Sequence, residues 1–136
     1  MSGARSGLAA AVIDNVIYAV GGDEALGGDP SMPLNTLEAY DSVSNTWTTK
    51  TPMLNSRSGL AAAVVNGKLY AIGGDAGGSV EEYDPIANTW TTKAPMPNPG
   101  GAVAGGAIDG LIYVVAGSSG TVKVYNPAID AWATLG

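Results

Sequence analysis

The side chains in this chain that could do chemistry are few, and what is missing narrows the field at once. There is no His and no Cys. That removes Ser-His-Asp and Cys-His nucleophile arrangements, zinc and copper sites built on nitrogen or sulfur ligands, and imidazole acid–base work. Carboxylates and guanidiniums remain. Glu38 and Glu81 each stand two residues before a tyrosine, and Lys123 holds the third such place. Two acids facing one cleft could hydrolyse a glycoside or serve a lyase. Single acids on short strands are instead expected to face solvent. Arg5-Ser6 and Arg57-Ser58 form a repeated pair, and each guanidinium could either hold an acidic ligand or bond to neighbouring loop carbonyls. Asp23, Glu24 and Asp29 share one loop but lack the dense alternate spacing of a calcium site. GGDAGGS and GGDEALGG have the glycine content of a phosphate cradle. They lack the Lys-Ser/Thr ending and the following helix that such a cradle needs. No cofactor or metal is expected, and no catalytic residue is assigned.

Composition bounds the rest. The 136 residues suggest one domain. Charged residues make up only 13% against 46% hydrophobic, so little of the surface is designed to stay wet in isolation. A net charge of −6 argues against nucleic acid and anionic membranes as partners, since both call for clustered Lys and Arg. MSGARSG carries no apolar signal core, and no run approaches membrane-spanning length. Intracellular residence is the default expectation, and localisation is otherwise unknown.

The elements that must position these groups come from a repeat. RSGLAAAV occurs at Arg5–Val12 and again at Arg57–Val64. IYAVGGD at Ile17–Asp23 answers LYAIGGD at Leu69–Asp75, and IYVVAG at Ile112–Gly117 follows the pattern more loosely. Self-similarity at a period of 20–50 residues is the mark of a repeat architecture. The aromatics fix the register. Tyr18, Tyr70 and Tyr113 fall at one position of the unit, Tyr40, Tyr83 and Tyr125 at a second, and Trp47, Trp90 and Trp132 at a third. The second tyrosine always precedes the tryptophan by seven residues, and no aromatic is left over.

Within a unit the signals are those of β structure: short Val-, Ile- and Tyr-rich runs broken by Gly, Asn, Asp and Pro. Asp14-Asn15, Asn66-Gly67 and Asp109-Gly110 sit between apolar runs, where both residues tolerate the positive φ of a type I′ hairpin turn. Unit two thus predicts strands A at Leu60–Val65, B at Lys68–Ile72, C at Ser79–Tyr83 and D at Thr89–Thr92, a four-stranded antiparallel meander. Gly21-Gly22 and Gly73-Gly74 close strand B, where close backbone approach is expected. The tyrosines and tryptophans are expected to pack between units.

The Gly-Gly after an apolar strand, the later Tyr and the Trp seven residues beyond resemble the kelch repeat of β-propellers. The resemblance covers nearly the whole chain in three units, with boundaries at 5–54, 55–97 and 98–136. It implies an all-β fold of three four-stranded blades, with strand A lining a central channel and strand D outermost. It also implies that Arg5, Ser6, Arg57 and Ser58 stand at a rim that can bind acidic peptides. Unit three departs from the pattern, with Ala116-Gly117 for Gly-Gly and Pro99-Gly100 for Arg-Ser. The copper chemistry known on kelch-like blades needs ligands this chain lacks. The nine extra residues of unit one fall between strands B and C, on the rim that the D–A connections share.

Three blades do not close a ring, since propellers have about four to eight. The expected remedy is a homodimer in which unit three of each copy packs on unit one of the other, giving six blades. The functional expectation is a non-enzymatic scaffold that assembles with itself or binds proteins, whether natural, excised or engineered. A carboxylate-based enzyme and a rim binder of small acidic ligands are the alternatives.

Overall fold

The computed structural model describes residues 1–24, 32–116 and 118–135. Twelve of its strands form three antiparallel sheets of four. The first holds β2 (Ala9–Ile13), β3 (Val16–Val20), β5 (Leu37–Asp41) and β6 (Thr46–Lys50), in that order. The second holds β7 (Ala61–Val65), β8 (Lys68–Ile72), β9 (Val80–Asp84) and β10 (Thr89–Lys93). The third holds β11 (Val103–Ile108), β12 (Leu111–Ala116), β13 (Val122–Asn126) and β14 (Ala131–Leu135). A short ribbon of β1 (Arg5–Ser6) and β4 (Asp23–Glu24) pairs outside them. Strands expected in unit two differ from the observed ones by a residue at four ends, and the meander order is as expected.

The turns form for the reason the sequence suggests. Asp14 and Asn15 have φ of 48° and 65°, Asn66 and Gly67 50° and 71°, and Asp109 and Gly110 49° and 78°. Both central residues are left-handed, as a type I′ hairpin requires, so the turn twist matches the strand twist. The glycine pairs serve close approach. Gly21 N donates to Thr36 O at 3.0 Å, and Gly22 N donates to Arg57 O at 2.9 Å. A Cβ on Gly22 would stand 2.6 Å from Ser6 O. The junction between strand B and the next unit's loop is therefore made of backbone against backbone.

The sheets stack face to face in chain order. Side chains alternate between faces along each strand, so the middle sheet buries both. Ala61, Ala63, Val65, Tyr70, Ile72 and Val80 go to one cluster with Ile112, Val114 and Tyr125 of the third sheet. Leu60, Leu69, Ala71 and Tyr83 go to another with Tyr18, Val20, Leu37 and Ala39 of the first. Strand β7 lies against both β2 and β11. The alanine-rich first strands are thus the inner edge where the sheets converge, and their small side chains let them do so. Among the described residues no helix is long and apolar enough to cross a membrane.

Candidate functional site

Two buried ion pairs sit at the end of the sheets where the loops cross from one to the next. Arg57 is wholly buried and pairs with Glu81, which is equally buried. Its other terminal nitrogen donates to Gly73 O at 3.2 Å and Ser79 O at 2.7 Å. Glu81 accepts in turn from the backbone N–H of Leu54 at 2.6 Å and of Asn55 at 3.3 Å. The first sheet repeats this arrangement. Arg5 pairs with Glu38 and donates to Gly21 O at 3.2 Å, and Glu38 accepts from Ser2 N at 2.8 Å. The expectation that Glu38 and Glu81 are solvated is therefore corrected. Each carboxylate has a guanidinium and backbone N–H groups to bond, which makes its burial tolerable.

The third sheet makes sense of its odd letters. The register that sets Met96 at the place of Met53 sets Gly100, rather than the expected Pro99, at the place of Arg57, and Lys123 stands where Glu38 and Glu81 stand. A glutamate there would be buried without a counter-charge. Lys123 is buried instead and donates from Nζ to Asn98 O at 2.7 Å. The two substitutions reverse the polarity of one contact: a carboxylate that takes loop N–H groups becomes an ammonium that gives to a loop carbonyl. The rim serines diverge likewise. Ser58 donates to the Asp23 carboxylate, linking sheets one and two. At the next junction Gly101, the counterpart of Ser58, has no hydroxyl, and Asp75 accepts from Ser79 N at 2.9 Å and Ser79 Oγ at 2.5 Å within its own loop. Ser6 is exposed at the same rim. Asp23 and Glu24 lie in β4 against β1, whereas Asp29 lies outside the described residues.

The seams between sheets are built to one pattern. Tyr18 meets Tyr83 with ring centroids 5.9 Å apart, and Tyr70 meets Tyr125 at 5.9 Å. Behind each second tyrosine a tryptophan packs at 5.1 Å. Its indole N–H crosses to the preceding sheet's outgoing loop, Trp90 to Thr51 O at 2.8 Å and Trp132 to Ala94 O at 2.9 Å. A residue in the C–D turn completes the clasp. Asn88 Oδ1 accepts from Tyr83 OH at 2.7 Å and Thr51 N at 3.0 Å. Asp130 Oδ1 accepts from Tyr125 OH at 2.6 Å and Ala94 N at 2.8 Å. Those same bonds, from Tyr125 first, hold the Asp130 carboxyl below its usual range, while burial and then Asp130 push the Tyr125 phenol up. Sequence reading missed Asn45, Asn88 and Asp130, although each stands five residues after its tyrosine. It had noted the aromatics alone.

The two outer faces carry the unmatched halves of this seam. On the first sheet Val12 is 57% exposed and Trp47 41%, while the equivalent Val64 and Trp90 pack against a neighbour. On the third sheet Ile108 is 59% exposed and Val115 46%, while the equivalent Val65 and Ile72 are buried.

The kelch motif matches residues 4–54 and 56–97, well over half of the chain. This chain belongs to the kelch-repeat family. Its sheets are kelch blades, and its recurring Tyr, Trp and Gly-Gly are the kelch signature. Among curated proteins it resembles Kelch-like ECH-associated protein 1B of Danio rerio, with 41% identity over 73 residues. That match takes in 54% of this chain and 12% of the relative. Kelch-like protein 25 of Xenopus tropicalis and of Rattus norvegicus are each 37% identical over 75 residues, 52% of this chain and 13% of theirs. The chain thus matches about one-eighth of the length of these relatives.

Proposed function

We propose that this chain is a protein-interaction module whose first partner is a second copy of itself, the two forming a six-bladed ring with two-fold symmetry. Its blades span 5–54, 55–97 and 98–136. One observation carries the reading: the outer faces are the two complementary halves of a seam the chain already makes twice. Blade one offers Tyr40, with its hydroxyl 2.9 Å from Asn45 Oδ1, and Trp47 beside it. Blade three offers Tyr113, Ile108 and Val115. Juxtaposing the two faces sets Tyr113 of one copy on Tyr40 of the next, as Tyr18 lies on Tyr83. Two-fold closure makes two such seams for one loss of translational freedom, which favours it over a single open contact.

Scaffolding rather than catalysis is the role this supports. Glu38 and Glu81 are neutralised by Arg5 and Arg57, and neither stands free as an acid or base. Arg57 is best read as a brace, since its terminal nitrogens are already taken up by Glu81 and two carbonyls. Capture of a peptide or small acidic ligand at the rim then falls to exposed Ser6, to Ser58 and to glycine amides. The test is the molar mass in solution. Light scattering at micromolar concentration should give twice the chain mass, and a stable monomer would defeat the proposal.

A further inference from the structure

We infer that Met1 is a seam residue, filling against blade three of a second copy the place that Met53 and Met96 fill inside the chain. This rests on the two-fold ring proposed above and says how its seams are sealed. Inside the chain, the segment leaving each outer strand crosses to the next blade and drops one methionine into the joint. Met53 and Met96 are each 2% exposed. Met53 Cε packs beside Gly21 and Met96 Cε beside Gly73, where a Cβ would lie 3.4 and 3.5 Å from them. The backbone docks as well: Met53 N donates to Asn35 O and Met96 N to Gly78 O, both at 2.8 Å.

Met1 precedes Arg5 by the same four residues that separate Met53 from Arg57. The match is structural as well as numerical. Ser2 N donates to Glu38 Oε1 at 2.8 Å, as Leu54 N donates to Glu81 Oε1 at 2.6 Å. Residues 1–5 therefore lie against blade one as 53–57 lie against blade two. Yet Met1 is 43% exposed, because the blade that covers Met53 from behind has its counterpart in another copy. The receiving place on blade three differs in one residue, since buried Ala116 holds the position of Gly21 and Gly73 and adds a methyl group for the thioether to pack on. Gly120 has φ of 62°, matching Gly78 at 61°, and its carbonyl is the equivalent acceptor for the Met1 backbone. A flexible thioether suits such a joint, since it adapts to an irregular gap. By count from Trp132, Gly136 is the sequence counterpart of Thr51, so a single residue at the position of Pro52 gives a covalent tandem the spacing of the internal junction.

The experiment joins two copies through a single proline between Gly136 and Met1 and compares this tandem with the unmodified chain. The unmodified chain should be a dimer whose Tm rises with concentration. The tandem should be a monomer of doubled mass with a concentration-independent Tm. Met→Ser at its internal Met1 should lower that Tm by several degrees, whereas Met32→Ser, at a residue 68% exposed, should leave it unchanged. A dimeric unmodified chain with a tandem that polymerises, or with a tandem indifferent to the internal substitution, overturns the Met1 assignment and leaves the ring standing. A monomeric unmodified chain overturns the ring, and this inference with it.

Discussion

The ring of Tyr70 lies 5.9 Å from that of Tyr125, the separation that also holds between Tyr18 and Tyr83. The interplanar angles are 59° and 56°. Two joints in one chain thus repeat the same tilted contact, although blade three has diverged most in sequence. What is conserved between units is the way a blade meets its neighbour, together with the groups that brace that joint.

Arg57→Met should destabilise the chain by about 3–5 kcal/mol, because it leaves Glu81 buried without its counter-charge. The double substitution Arg57→Met with Glu81→Leu should cost less than the single one. Urea unfolding of the two variants beside the parent checks this. Equal losses would mean that the pair holds the blade together by attraction rather than by mutual neutralisation.

Stability should fall at alkaline pH through the buried phenols. Burial first, then Tyr18 and Asp84, push Tyr83 from 10.0 up to about 12, and burial raises Tyr70 and Tyr125 too. The unfolded chain ionises near 10, so it sheds protons that the folded chain keeps. The contribution is complete below pH 10 and is lost as pH rises toward 12. Tyrosinate absorbance and circular dichroism should therefore change together. Ionisation of all six tyrosines near pH 10 with the fold intact would refute this.

Gly74→Ala should cost about 2 kcal/mol or more. The residue has φ of 76°, and a Cβ would stand 2.7 Å from Ser58 O. Gly77→Ala, where nothing lies within 4 Å and φ is ordinary, should stay within about 0.5 kcal/mol of the parent. Thermal melts of the pair separate a backbone requirement from a general sensitivity of this loop.

Trp90→Phe should lose about 1 kcal/mol by removing the indole N–H that reaches Thr51 O. Val115→Glu should leave the secondary structure of the chain intact and weaken its self-association at least tenfold. Val43→Glu, at a turn residue 92% exposed and away from both outer faces, should change neither the secondary structure nor the association. Sedimentation across a concentration series distinguishes these, and an undisturbed dimer in Val115→Glu would place the contact elsewhere.

Most of the fold was legible because its signals are local. Asn66-Gly67 specifies a hairpin within two residues, and the Tyr-to-Trp spacing of seven reflects a C–D turn of fixed length. The braces were less legible. Glu38 and Glu81 lie in strands where burial rules for charged residues favour solvent, and the partners that reverse that expectation are Arg5 and Arg57, distant in the sequence. The signal existed all the same: in unit three the arginine and the glutamate are replaced together, by Gly100 and Lys123, which a solvated acid would not require. Asn88 and Asp130 were hidden differently. Turn positions attract Asn and Asp for their backbone alone, so their second use, as acceptors for Tyr83 and Tyr125, leaves no distinct trace.

The alanines of the inner strands have a consequence beyond this one chain. Leading and trailing faces differ, so in the proposed ring copies would add head to tail, and such addition would end only when the angles sum to a full turn. That angle depends on how nearly the first strands of adjacent blades can approach, which Ala11, Ala63 and their neighbours govern by their size. Bulkier residues there would flatten the fan and raise the number of blades in a circle, or leave a spiral that never meets itself. Stoichiometry, in such an assembly, is written in a handful of methyl groups.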